Sequence, residues 1–155
     1  MLLAGLLLVL ALSVDFGRDF TENHAETSAG GGGADDELAP VVSPRSLEEL
    51  VVAVRWAGKR VGGFEHVGDS FAGDDEATVL FSVTSRLLRL KDDVAVHIVD
   101  EGRQRVVTAS SGTRNALPIG DLGRNPRNLR RLMTELRDVL DGAAREPAPM
   151  PGSKP

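Results

Sequence analysis

Residues 77–110, ATVLFSVTSRLLRLKDDVAVHIVDEGRQRVVTAS, decide the fold. In 77–85, Val79, Phe81 and Val83 alternate with Leu80, Ser82 and Thr84; in 93–99, Val94, Val96 and Ile98 alternate with Ala95, His97 and Val99. Successive side chains of a strand point to opposite faces, so each run predicts a strand. Asp100-Glu101-Gly102 predicts a hairpin turn, after which residues 104–110 return with Val107 and Ala109 opposite Val106 and Thr108. No crossover helix fits between these runs, so the connections read as antiparallel.

Working outward, Ser46 with Glu49 three residues later is a capping-box pattern. Leu47, Leu50, Val51, Val54 and Ala57 then form one apolar stripe, which predicts a helix over 47–58. Trp56 falls at the edge of the stripe and is expected to close over the end of the core. Gly58 and Gly62-Gly63 mark the exit, a short strand is expected at 60–67, and GDSFAGDD at 68–75 reads as a turn. Downstream, Asn125-Pro126 opens a last helix, with Asn as N-cap and Pro in the first turn. Leu129, Leu132, Met133, Leu136, Val139 and Leu140 carry it over 126–140, and Gly142 is its expected end. The expected fold is α+β: an antiparallel sheet of about four strands with two helices on one face, in the order α-β-β-β-β-α. The other face would carry Thr84 and His97.

The flanks differ in character. Residues 1–14, MLLAGLLLVLALSV, are almost wholly apolar, and as a helix they span about 21 Å against a hydrocarbon core of roughly 30 Å. They read as a membrane anchor or signal-like segment, although no Lys or Arg precedes them. Residues 15–42 carry Arg18 against seven carboxylates and include Gly30-Gly31-Gly32-Gly33, so they read as an acidic tether. The α+β domain is expected over 43–142, where the charges nearly balance, and 143–155 as a Pro-rich tail without a packing face. The chain of 155 residues has no Cys, which removes disulfide and thiolate chemistry. One Trp, no Tyr and a net charge of −5 argue against nucleic acid as a partner.

Candidate site residues gather where the last helix begins. Asp92 and Asp93 are adjacent on a strand, so they face opposite ways and form no acid/base dyad. Either a turn cap or an ion pair with Arg114 or a helix arginine suits them; a ligand-binding role is the alternative. Asp121-Leu122-Gly123 leads through Asn125 into a helix N-terminus, which favours a negative charge. That charge is either Asp121 itself, as a rigid cap, or a bound phosphate or carboxylate held with Arg124 and Arg127. Gly123 suits a positive φ in both cases. Residues 114–137 carry Arg114, Arg124, Arg127, Arg130, Arg131 and Arg137 against Asp121 and Glu135, a face that suits its own carboxylates, an acidic protein or anionic lipid. His24, His66 and His97 are too dispersed for a metal motif, and no cofactor signature occurs. Ser110 and Ser111 lack the strand-turn-helix elbow of an activated nucleophile.

Lys91-Asp92-Asp93-Val94-Ala95-Val96, then Val106-Val107-Thr108-Ala109-Ser110-Ser111, then Gly120-Asp121-Leu122-Gly123-Arg124-Asn125-Pro126-Arg127, resemble the DUF1499 family over about residues 45–140. Residues 15–28, DFGRDFTENHAETS, look like the segment before this domain in haloarchaeal members. The chain departs from the family pattern at Leu88-Arg89-Leu90 and at Asn115-Ala116-Leu117-Pro118. The resemblance implies a fold and an N-terminal hydrophobic segment, and no reaction. The expected function is that of a membrane-tethered or exported domain with a non-catalytic binding or structural role. The alternative is a small-molecule or anion-binding protein, with catalysis left open, using Asp93, Arg114, Asp121 and Arg127; with Asp92, Gly123 and Asn125 these form either a ligand site or a structural clasp.

Overall fold

The structure is a computed structural model, and it describes residues 24–27, 36–85, 89–114 and 123–145. Eight elements follow in chain order: β1 (His24–Glu26), β2 (Val41–Ser43), α1 (Leu47–Val61), β3 (Phe64–Ala72), β4 (Glu76–Thr84), β5 (Lys91–Asp100), β6 (Arg105–Thr113) and α2 (Arg124–Arg145). A 3-10 turn, Asp36–Leu38, precedes β2. All pairings are antiparallel, in the order β1-β6-β5-β4-β3, with β2 also on β6.

The expectation of about four strands in an α-β-β-β-β-α order is corrected: the sheet has six, and two precede α1. Both extra strands come from the stretch read as a tether, or from its boundary. Three residues are too few to show a period of two, so their pairing was invisible in the sequence. They lie one after the other along the same edge of β6, β2 opposite Arg105–Val107 and β1 opposite Ser110–Gly112. Leu38 and Val41 are buried in the core with them.

Both helices cover one face. Register brings Ala77, Ile98 and Val107 into one row, Val79, Val96 and Ala109 into the next, and Phe81 and Val94 into a third. These side chains are buried against Leu50 and Val54 of α1 and Leu129, Leu132, Met133 and Leu136 of α2. His97, Leu80 and Thr84 lie on the open face. The helices run antiparallel: Arg131 near the start of α2 donates to the Val61 carbonyl at 2.9 Å, and Arg45 before α1 donates to that of Leu140 at 3.2 Å.

Local expectations are corrected at four points. Helix α2 continues past Gly142 to Arg145; Gly142 has open space around it, and an interior glycine costs only about 1 kcal/mol against alanine. β3 extends through Ala72, so the turn is confined to residues 73–75, where Gly73 takes φ 69°. Trp56 does not close the core but is 50% exposed, with Lys59 Nζ 5.1 Å from its ring centroid. Asn125 lies inside the first turn of α2, and its side chain reaches the sheet.

α1 begins with a complete capping box: Glu49 N–H donates to Ser46 Oγ at 3.3 Å, and Ser46 N–H donates to Glu49 Oε2 at 2.9 Å. The Ser46 N–H bond, with help from the Ser46 hydroxyl, holds the Glu49 carboxyl below its ordinary range. A lowered folded-state value contributes stability above the ordinary glutamate pKa, and that stability is lost as pH falls through the folded value. Glu49→Gln is therefore expected to flatten the acid limb of urea midpoints measured from about pH 6 to about pH 3. An unchanged slope would remove the role.

Gly58 is required by packing. A Cβ there would sit 2.5 Å from Phe81 Cε1 and 2.8 Å from Cζ, and Phe81 is fully buried. Gly58→Ala gains about 1 kcal/mol of helix propensity but overpacks the core by about 1–3 kcal/mol. The expected result is a lower urea midpoint, recovered in Gly58→Ala/Phe81→Leu.

Candidate functional site

The covered face of the sheet changes character at one end. Ser111 completes the Phe81–Val94 row, and the same register brings Val83, Asp92 and Thr113 into the next and last one. Asp92 has the parity of Val94, Val96 and Ile98, so it points inward and is 1% exposed. Asp93 points outward.

A buried carboxylate needs a matched donor set. Arg124, the first residue of α2, meets Asp92 along its side: Nε donates to Oδ2 at 3.2 Å and Nη2 to Oδ1 at 2.9 Å. Asn128 Nδ2 donates to Oδ2 at 3.1 Å and Thr113 Oγ1 to Oδ1 at 3.0 Å. Arg124 Nη2 also reaches Thr113 Oγ1 at 3.0 Å. Ser111 Oγ donates to Asn125 Oδ1 at 2.7 Å, and Asn125 Nδ2 to Thr113 Oγ1 at 3.2 Å. Three side chains of the helix start thus reach three of the sheet. Arg124 Nη1 is buried and has no hydrogen-bond partner among the described residues.

The expected site residues divide. Asp92 and Asn125 belong to this network, whereas Asp93 pairs with Arg114 outside it, at 3.0 Å from Arg114 Nε to Oδ2. That bond raises the Arg114 guanidinium further above its ordinary value. Gly123, with φ 72°, precedes α2 and is buried. Arg127 lines a neighbouring cleft. Asp121 lies outside the described residues, as do Leu122, Leu88 and residues 115–118. Sequence reasoning missed Ser111, Thr113 and Asn128, and it gave Arg124 to a bound anion or a solvated face, with Asp92 only one of several carboxylates its arginine face could meet. Strand parity would have found the first two, since they share the phase of Val107 and Ala109. The leucine stripe extended backwards would have found Asn128.

The cleft has a volume of about 340 Å³. Arg124, Arg127, Arg131 and Asn128 form one wall, Gly62 and Gly63 another, with Asp92 at its back. The first turn of α2 contains no acidic residue, so arginine charge and the positive helix end add. Asp92 is bonded to Arg124, and Arg127 and Arg131 line the cleft beside that pair. Gly62 and Gly63, at φ 72° and 82°, have open space around them, so backbone is accessible there.

Arg130, Arg131 and Arg137 also hold parts of the domain together. Arg131 caps the C-terminal carbonyls of α1, Arg137 donates to Glu37 and Ala39 carbonyls at 3.1 and 2.6 Å, and Arg130 lies 3.9 Å from Glu37. The expected face for lipid or an acidic protein is therefore largely a set of internal contacts. His66 pairs with Asp69 at 2.8 Å, where Arg55 also binds, and His97 meets Thr78 at 3.0 Å. Among the described residues no group of three or more His, Asp or Glu could hold a metal.

Removing Asp92 would strand a buried guanidinium. Asp92→Ala is expected to cost about 3–5 kcal/mol in urea unfolding, and Arg124→Met in the same chain should recover part of it. A loss below about 1 kcal/mol would show the network to be dispensable.

No protein-family model matches the chain, and no curated protein matches it. The expected DUF1499 membership is accordingly withdrawn. Among the described residues no helix is long and apolar enough to cross a membrane, and residues 1–14 lie outside them. The membrane-tethered or exported reading, with the membrane as partner and location, is withdrawn as well. The Saccharomyces cerevisiae Ran-binding protein Mog1p has a similar chain path, with 11% identity, a TM-score of 0.37, and coverage of 79% of this chain and 77% of that one. A point mutant of Mog1 gives 12% identity, a TM-score of 0.36, and coverage of 83% and 80%. Likeness at this level carries no inference about function.

Proposed function

We propose that the domain binds a small anion, a phosphate or a carboxylate, in the cleft between the end of α1 and the start of α2. The observation that carries this reading is the convergence of Arg124, Arg127 and Arg131 on one cleft, where Arg124 Nη1 has no acceptor among the described residues. An unmatched buried donor is costly, and an anionic oxygen is the partner that offsets it most fully. The volume suits a small ligand. The chemistry is that of holding rather than bond-making: guanidinium and amide groups donate, and the one carboxylate is already bonded.

The test is calorimetric titration of the chain at low salt with inorganic phosphate, pyrophosphate and citrate. At least one is expected to bind, and to stabilise the fold by about 2.7 kcal/mol at a concentration of 100 Kd. Arg127→Ala should weaken binding about tenfold or more, with its urea midpoint read in parallel to separate loss of binding from loss of fold. Phosphate and citrate separate the two ligand chemistries. Absence of binding by all three, or equal binding by the Arg127→Ala chain, overturns the proposal.

A further inference from the structure

The solvent side of α1 carries a second feature. Glu48, Val52, Trp56 and Lys59 fall within an arc of about 80° at 100° per residue, so they form one line along the helix. Val52 is 61% exposed and Trp56 50% exposed, while Glu48 and Lys59 are exposed at the two ends. Beside this line lies a mostly apolar groove of about 430 Å³, to which Ala53, Val139 and Leu140 contribute. An exposed indole next to an apolar groove marks an interaction surface.

The order of charges identifies the occupant. The line is acidic towards the start of α1, apolar in the middle and basic towards its end. Such a line is complementary to itself when reversed. A twofold axis through its centre lays two copies of α1 antiparallel: Val52 packs against the partner's Trp56, and Glu48 meets the partner's Lys59. Helix dipoles oppose in the same arrangement. An isologous contact requires this self-complementarity, because one patch must serve both sides. We infer that α1 is the homodimer face of this protein and that a second copy of the chain fills the groove.

Sedimentation velocity over a concentration series tests the inference, with Trp56 emission read in the same samples. Trp56 is the only Trp and there is no Tyr, so the signal reports this face alone. The expected result is a monomer–dimer equilibrium with bluer emission in the dimer and weaker association at high salt. Glu48→Lys and Lys59→Glu should each weaken association at least tenfold, and the two changes in one chain should restore it. Neither residue belongs to the core, so folding is expected to persist. A chain that stays monomeric throughout overturns the inference. So does blue emission independent of concentration, which would mean that other parts of the same chain cover the groove, or failure of the double change to restore pairing.

Discussion

The buried carboxylate of Asp92 constrains the rest of the molecule. It stands on the covered face of the sheet, in line with Val94, Val96 and Ile98, where an unmatched charge would be prohibitive. Its acceptors are met by Arg124, Asn128 and Thr113, so the start of α2 can rest in one place only. The leucine stripe of α2 would tolerate sliding along an apolar sheet; the carboxylate does not. Non-directional burial thus supplies most of the stability, and one directional network sets the register between helix and sheet.

That division gives the molecule two unlike ends. At the Asp92 end, charge is concentrated, and the arginines at the start of α2 line a cleft beside the exit of α1. At the other end, the start of α1 and the end of α2 leave a mostly apolar groove next to Trp56, lined by Val52, Ala53, Val139 and Leu140 among others. The antiparallel crossing links the two: Arg131 reaches the carbonyls of one helix end and Arg45 those of the other. A ligand in the cleft and a second chain along α1 would therefore act on the same helix pair.

Sheet edges are treated differently on the two sides. β1 and β2 share the edge of β6 and close it with three residues each. β3 remains an outer strand, broken by a register shift between His66 and Gly68 and flanked by Glu65 and Asp69. Bulges and charges of this kind oppose further strand addition.

The legible part of the fold is the part written as repetition. Alternation in 77–99 and the stripes of both helices needed only periodicity, and they located one covered face and two helices. The opposite facing of Asp92 and Asp93 followed from the same rule. What periodicity could not show is pairing over distance: β1 and β2 are strands because β6 offers them an edge, not because three residues prefer extension. Nor could it show that Arg124, rather than Arg114, would meet Asp92, because their 32-residue separation is closed only by folding. Local sequence determined which residues face inward; the tertiary structure decided which inward-facing polar groups meet. Hydrophobic patterning is a one-dimensional signal, whereas a hydrogen bond depends on where two distant segments stand in space.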